Sequence, residues 1–172
     1  MKLGFVFPGQ GAQFVGMGKD YYEKYECVKN VYDKASELLE FDIAKLSFES
    51  TEEDLSQTKN TQIAILVMSL AIVELLKQNN ISADISAGLS LGEYSALIYS
   101  NIINFEDGIK IVRKRGTYMQ ECLPEGNWSM AAILGLEDSV IEETCKKVSK
   151  GFVVPANYNC PGQVAISGEK EA

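Results

Sequence analysis

The chain has 172 residues, of which 46% are hydrophobic and 23% are charged. That apolar fraction is enough for a packed core, which excludes an intrinsically disordered, collagen-like or low-complexity chain. With 16 basic and 24 acidic side chains the net charge is −8, so nucleic acid and anionic membrane surfaces are poor partners for it. The sequence contains no histidine, and any mechanism that needs an imidazole must obtain it from outside these residues.

The four cysteines predict neither a metal site nor disulfides. They are irregularly spaced, with no Cys-x-x-Cys pair and no histidine to complete a zinc site; they are Cys27, Cys122, Cys145 and Cys160. We expect reduced thiols in a cytoplasmic protein. The apolar N-terminus ends at Pro8 and is too short for a signal sequence. The apolar run at residues 63–73 is shorter than the roughly 20 residues that cross a bilayer, so a soluble protein is expected.

The first 123 residues alternate strands and helices. Strands are predicted at 3–7 and 83–87, with a glycine-containing loop after the first. Apolar residues at three- and four-residue steps predict helices at 19–41 and 105–123, and a buried helix is predicted at 61–77. Further helix starts are predicted at Thr51 and directly after Ser90. The core-facing stripe of the helix at 105–123 comprises Phe105, Ile109, Val112, Gly116, Met119 and Leu123.

A break at residues 124–127, which include Pro124 and Gly126, marks the predicted domain boundary. Beyond it we predict a strand at 129–134, a helix at 137–149, and strands at 152–157 and 163–167. This β-α-β-β order is the first part of a ferredoxin-like unit whose closing α-β pair is missing. We therefore predict one domain at 1–123 and a truncated second domain at 124–172, and expect the chain to be a fragment.

The sharpest local feature is the G-x-S-x-G set Gly88-Leu89-Ser90-Leu91-Gly92 between a predicted strand and a predicted helix. A nucleophilic serine needs a tight turn that exposes its Oγ, and the following helix adds partial positive charge for an oxyanion. Ser90 and Glu93 also match a helix capping box, in which the serine is only an N-cap. The capping interpretation does not explain the two glycines, so the pattern favours a nucleophile.

The loop at residues 8–13 lacks the glycine spacing of a dinucleotide site and the lysine of a P-loop. Taken alone, it predicts an ordinary glycine-rich turn, in which Gln10 offers a neutral amide. A polar cluster of Asn157, Asn159 and Gln163 around a Pro-Gly pair is likewise explained by turn chemistry. Cys160 has no identifiable base in reach and is interpreted as an incidental thiol.

Helical geometry separates the adjacent arginines of the helix at 105–123. Arg115 lies about 40° from Met119 and about 60° from Val112, on the shoulder of the buried stripe, while Arg113 points outward. A guanidinium at the edge of a core needs an anionic partner, because leaving it buried and unpaired is costly. That partner is either the carboxylate of a ligand or an internal Asp or Glu, and geometry leaves both open.

Four motifs together resemble the malonyl-CoA:acyl carrier protein transacylase family of bacterial fatty-acid synthesis and the acyltransferase domains of fatty-acid and polyketide synthases. They occur in the family's order and lie at residues 5–13, 88–96, 113–116 and 159–164. The resemblance implies an α/β fold, with an α/β-hydrolase-like core containing a parallel sheet at 1–123. It also implies an inserted ferredoxin-like subdomain, incomplete here, at 124–172.

The resemblance further implies a ping-pong mechanism. Ser90 would carry the malonyl ester, and the backbone N–H groups of Gln10 and Leu91 would form the oxyanion hole. Malonyl would pass from coenzyme A to Ser90 and then to the phosphopantetheine thiol of acyl carrier protein. The coenzyme A thioester is a substrate, and no cofactor or metal is expected.

The same resemblance assigns the substrate contacts. Arg115 would bind the free carboxylate of malonate, and Met119 would lie near the acyl pocket. Asn157 and Asn159 would lie near the pantetheine arm. The expected partners are malonyl-CoA and acyl carrier protein.

Two departures from the family pattern matter. Leu89 stands where family members often carry a histidine that is not the general base. The catalytic histidine of the family lies outside these residues, so the chain alone is expected to have little or no activity. A serine hydrolase or thioesterase, and a non-catalytic fragment or carrier-docking module, are the alternative functions.

Overall fold

The computed structural model of the chain describes residues 2–122 and 126–172. The chain forms two compact units, Met1–Glu121 and Cys122–Ala172, which are described separately. The predicted boundary at Pro124, and the predicted end of a helix at Leu123, lie outside the described residues.

The first unit combines a short parallel sheet with helices. Its elements are β1 (Gly4–Phe7), α1 (Lys19–Lys24), α2 (Glu26–Leu39), α3 (Ile43–Glu49), α4 (Glu52–Ser56), α5 (Thr58–Gln78), β2 (Ile85–Gly88), α6 (Leu91–Tyr99) and α7 (Phe105–Glu121). Strands β1 and β2 pair in parallel, from Gly4 opposite Ile85 to Phe7 opposite Gly88. Both predicted strands are confirmed, each shortened at its start.

Helix α5 is the centre of the core. It has 21 residues and a mean hydropathy of 1.5 in its most apolar window, so by length and composition it could cross a membrane. The apolar run at 63–73 is shorter than this helix, which begins at Thr58 and ends at Gln78. Its length was therefore underestimated from the sequence. Most of that window is buried, and α5 packs against α2, α6 and α7. The prediction of a buried helix is confirmed, and its apolar surface is used inside this unit.

The predicted helix at 19–41 is wrong in detail, because it is two helices. Tyr25 adopts extended backbone angles between them, and Tyr22 on the first packs 5.4 Å from Tyr32 and 5.2 Å from Phe48 between ring centroids. Periodicity does not encode these contacts between separated segments. Helix α3, capped by the carboxylate of Asp42, was not predicted.

Two other sequence expectations have clear outcomes in this unit. Thr51 caps α4 by accepting a hydrogen bond from the Asp54 N–H at 3.1 Å, as predicted. The stripe of α7 is buried at Ile109 and Val112, but Met119 is 46% exposed. The expectation that Met119 faces the core is therefore wrong: the stripe reaches the edge of the core one turn earlier than its periodicity indicates.

The second unit is a three-stranded antiparallel sheet with one helix. Its elements are β3 (Trp128–Leu134), α8 (Asp138–Lys147), β4 (Val153–Cys160) and β5 (Gln163–Glu169). The strand order is β3-β5-β4, and α8 packs against β4. The predicted β-α-β-β order is confirmed in the described residues.

Strand β4 extends further than predicted, through Cys160. Asn157 lies in the strand, as the predicted strand at 152–157 has it, and Asn159 lies in the extension. Turn chemistry therefore explains neither residue. The turn itself is formed by Pro161 and by Gly162, whose φ of 77° suits a glycine.

Candidate active site

The parallel pairing of β1 and β2 brings two loops to one edge of the sheet. Phe7 and Gly88 are opposite each other at the last position of their strands. The chain after each strand therefore emerges at the same carboxyl edge, where ligands of α/β sheets bind. The Leu89 N–H donates to the Phe7 carbonyl oxygen at 3.2 Å, and a Cβ on Gly9 would lie 2.9 Å from the Leu89 carbonyl oxygen.

Both glycines of the G-x-S-x-G set are required by close backbone contacts. A Cβ on Gly88 would collide with the backbone of Gly92, and a Cβ on Gly92 would collide with the carbonyl of Phe7. The first helical turn of α6 is thus pressed against the ends of β1 and β2. The glycines set the distance between the helix and the sheet.

Ser90 lies at the tip of this tight turn. Its φ of 52° and ψ of −96° form a conformation that non-glycine residues rarely adopt, the strained turn expected of a serine held out for reaction. The side chain is exposed, and it makes no capping hydrogen bond to α6. The capping-box alternative is therefore wrong for Ser90, because its Oγ accepts a hydrogen bond from Arg115 and none from α6.

The guanidinium of Arg115 reaches Ser90 from α7. Its Nη2 donates to Ser90 Oγ at 3.0 Å, its Nη1 donates to Gln62 Oε1 at 2.5 Å, and it lies 5.6 Å from the Tyr94 ring centroid. Within residues 2–122 and 126–172 no carboxylate lies within ion-pair distance of it. The internal Asp or Glu partner, one of the two alternatives left open by the sequence, is therefore not found there. The expectation that the partner within the chain is anionic is wrong, because neutral groups accept the hydrogen bonds of Arg115.

Gln62 was missed by the sequence analysis. It is fully buried on α5, and besides accepting from Arg115 its Nε2 lies 3.1 Å from Met119 Sδ and 3.5 Å from Gln10 Oε1. A glutamine at the start of a strongly apolar run was the available signal, since a buried amide needs partners. The sequence alone did not show which partners those were.

The other predicted residues of the first unit lie around this cluster. The Gln10 side chain is tied to α5 by a bond from its Nε2 to Thr58 Oγ1 at 3.3 Å. The backbone N–H groups of Gln10 and Leu91 have no acceptor among the described residues. Leu91 is the first residue of α6, where N–H groups lack a partner in the helix.

Arg113 does not point freely outward as predicted. Its Nη1 donates to the Lys59 carbonyl oxygen at 2.9 Å, and its guanidinium lies 4.9 Å from the Phe41 ring centroid. Burial lowers the pKa of Arg113 from its usual value. Lys59 lies on α5 and Phe41 lies between α2 and α3. The angular position of Arg113 on α7 does not reveal these partners from other segments.

Asn157 and Asn159 belong to the second unit. Both are exposed on β4, where Asn157 is opposite Ala165 and Asn159 lies at a shift in the strand register. The structure brings Ser90, Arg115, Gln10 and Met119 together through Gln62, whereas the role of the two asparagines stays a prediction.

Residues 4–172 match the family described as acyl transferase domain. The chain belongs to this family. It is 46% identical over 169 residues to the malonyl CoA-acyl carrier protein transacylase of Bacillus subtilis (strain 168). The match covers 97% of this chain and 53% of that protein.

Solved structures of acyltransferases agree with this assignment. The malonyl CoA-acyl carrier protein transacylase of Clostridium perfringens has a TM-score of 0.89 at 48% identity over 99% of this chain and 54% of that one. A type II polyketide synthase acyl-carrier protein in complex with its malonyl-transacylase gives a TM-score of 0.91 at 40% identity, over 99% and 56%. The chain therefore has the α/β fold of these acyltransferases, and it spans about half the length of the relatives it matches.

Proposed function

We propose that the chain carries the nucleophile and the carboxylate-binding arginine of an enzyme that transfers malonyl from coenzyme A to the phosphopantetheine thiol of acyl carrier protein. The activity belongs to fatty-acid biosynthesis and uses the coenzyme A thioester as substrate, with no other cofactor. The observation that carries the proposal is the 3.0 Å contact between Arg115 Nη2 and Ser90 Oγ. A serine at a strained turn suits an acyl group with a negative end when the cation next to it has no carboxylate partner among the described residues.

In the first step Ser90 Oγ attacks the thioester carbonyl carbon of malonyl-CoA. The carbonyl oxygen becomes an oxyanion, which the N–H groups of Gln10 and Leu91 and the N-terminus of α6 would stabilise. The coenzyme A thiolate then leaves, and malonyl remains as an ester on Ser90. In the second step the pantetheine sulfur attacks the ester carbonyl carbon and the bond to Ser90 Oγ breaks. The proton lost by the thiol passes through the general base to Ser90 Oγ.

Arg115 would select malonyl over neutral acyl groups. Its guanidinium has a fixed fork geometry that matches a carboxylate and is always charged. A malonyl group on Ser90 places its carboxylate a short distance from the ester, within reach of the same side chain. A hydrolase of neutral esters has no use for such a cation, which favours the transferase over the serine hydrolase or thioesterase alternative.

The proton that Ser90 loses needs a general base. The chain contains no histidine, and the relatives it matches are about twice as long. We place the base in the part of such a longer protein that these residues do not cover. The chain alone is then expected to lack turnover.

The finer fold description and the second unit's role belong to the same proposal. The first unit would be the α/β-hydrolase-like core, and the second the start of a ferredoxin-like subdomain. The antiparallel order β3-β5-β4 supports the second assignment, because it is the order of the first three strands in a split β-α-β unit. Asn157 and Asn159 on its exposed strand would contact the pantetheine arm of the carrier protein.

The transferase and hydrolase functions differ in the second acceptor. The longer protein that carries this chain is mixed with malonyl-CoA, with and without acyl carrier protein bearing its phosphopantetheine arm. We expect malonyl to appear on the carrier thiol much faster than free malonate appears in solution. Equal release of malonate with and without the carrier protein would instead identify a hydrolase.

A further inference from the structure

Gln62 connects the predicted site residues through a single buried amide. Its Oε1 accepts from Arg115 Nη1, and its Nε2 lies 3.1 Å from Met119 Sδ and 3.5 Å from Gln10 Oε1. Arg115 in turn donates to Ser90 Oγ. Resting on the proposed function, we propose that Gln62 is a positioning residue that sets acyl selectivity by holding Arg115 in place without neutralising its charge.

The orientation of the Gln62 amide is fixed by its partners. A guanidinium only donates hydrogen bonds, so the amide atom that faces Arg115 must be the oxygen. The amide nitrogen is then directed at Met119 Sδ and Gln10 Oε1, and both of these atoms are acceptors. The Gln62 side chain is fully buried, so its amide atoms depend on partners inside the protein.

Neutrality is the property that the site requires at this position. A carboxylate at residue 62 would form an ion pair with Arg115, and the carboxylate of malonate would then meet a pair whose charge is already balanced. An apolar residue would leave the part-buried Nη1 without this acceptor, which is costly for a charged group. A glutamine satisfies Nη1 and leaves the full charge available to the substrate.

The packing of two helices places Gln62 next to Arg115. A Cβ on Gly116 would lie 2.9 Å from Lys59 Cα, so α5 and α7 approach closely at this point. Gln62 is about one turn beyond Lys59 on α5, and Arg115 directly precedes Gly116 on α7. The contact therefore rests on rigid helices, which suits a side chain that fixes another one.

The test compares malonyl and acetyl transfer in the longer protein that carries this chain. For Gln62→Glu we expect kcat/KM for malonyl-CoA to fall at least about tenfold, while kcat/KM for acetyl-CoA changes by less than about threefold. Gln62→Leu has no carboxylate and keeps a similar volume, so it carries the same comparison if the glutamate variant does not fold. Thr61→Val is the matched control, since Thr61 is the buried neighbour that donates to the Leu55 carbonyl oxygen; its malonyl to acetyl ratio should equal that of the wild type.

A second arm asks whether Gln62 acts through Arg115. In an Arg115→Ala background, Gln62→Glu should change malonyl kinetics by less than about threefold, because the cation it modulates is gone. Equal loss of malonyl and acetyl transfer in Gln62→Glu and Gln62→Leu, or an undiminished effect in the Arg115→Ala background, would overturn the inference. Absence of malonyl transfer in the wild-type protein would instead contradict the proposed function, which keeps the two failures distinct.

Discussion

Arg115 Nη2 donates a hydrogen bond to Ser90 Oγ at 3.0 Å, although 25 residues separate the two along the chain. The strained turn after β2 holds the serine out, and the buried amide of Gln62 holds the arginine against it. A negatively charged acyl group on Ser90 would enter the space that this hydrogen bond now occupies. Under the proposed function, selectivity for malonyl rests on this one cation.

Replacing that cation is expected to separate malonyl from acetyl transfer. In the longer protein, Arg115→Ala should lower kcat/KM for malonyl-CoA by about a hundredfold, roughly 2.7 kcal/mol of transition-state stabilisation, while acetyl-CoA kinetics are spared or improved. Steady-state kinetics with both substrates measure this. Arg113→Ala on the same helix is the matched control, and it should leave the ratio of the two substrates unchanged. An equal fall for malonyl and acetyl after Arg115→Ala would make Arg115 a structural residue.

The glycine contacts at the turn predict a large stability effect at one position. A Cβ on Gly92 would collide with the carbonyl of Phe7, so Gly92→Ala must displace either β1 or α6. We expect a loss of about 3 kcal/mol in the free energy of unfolding. Gly4→Ala is the control, because the added Cβ would lie 3.4 Å from an Ile85 side-chain atom, an ordinary contact. Urea unfolding of both variants makes the comparison, and equal stability would mean that the turn adapts.

The buried hydroxyl of Tyr32 predicts a substitution that does not destabilise. Tyr32 is fully buried and its hydroxyl has no hydrogen-bond partner among the described residues, since the nearby Ser47 hydroxyl donates to the Ile43 carbonyl oxygen. Tyr32→Phe removes an unpaired polar atom, so the free energy of unfolding should stay equal or rise by up to about 1 kcal/mol. Tyr32→Ala should instead cost about 3 kcal/mol or more, because it leaves a cavity.

The same residue predicts a dependence of stability on alkaline pH. Burial raises the pKa of the Tyr32 hydroxyl well above its ordinary value, so the folded state keeps the proton where the unfolded state has lost it. Its contribution to stability is complete below the unfolded pKa of about 10 and decreases as the pH rises beyond it. Tyr32→Phe should lose less stability than the wild type between neutral pH and a pH above 10. Parallel unfolding curves for the two proteins across that range would contradict this prediction.

The sequence predicted local geometry well and contacts between distant segments poorly. The turn at Ser90 was predictable because a serine between two glycines, after a strand and before a helix, is a local pattern. The contact of Gly92 with Phe7, far along the chain, was not visible in that pattern. The angle of Arg115 on α7 was predictable from helical periodicity. Its partner Gln62 was not, because that contact depends on how closely α5 and α7 pack.

The errors have the same physical origin. The break between the two helices at Tyr25 accompanies the packing of Tyr22 against Phe48, which is far along the chain. Met119 continues a regular apolar period but lies where the core ends. Asn159 lies in the last part of β4, which is held in the sheet by pairing with β5. Each of these outcomes is decided by tertiary contacts that a single sequence does not display.

The absence of histidine predicts the behaviour of the isolated chain. Without a general base, malonyl transfer by the 172-residue chain should be slower than transfer by the longer protein by on the order of 10⁴ or more. Assays of both at equal concentration, with the same carrier protein, measure the difference. Comparable rates would show that the chain supplies its own base.

The central claim is that Ser90 carries the malonyl group, and intact and peptide mass spectrometry of the longer protein after brief exposure to malonyl-CoA tests it most directly. We expect one malonyl ester, located on Ser90 and absent from a Ser90→Ala variant. A malonyl group found on another residue, or labelling that persists in Ser90→Ala, would contradict it.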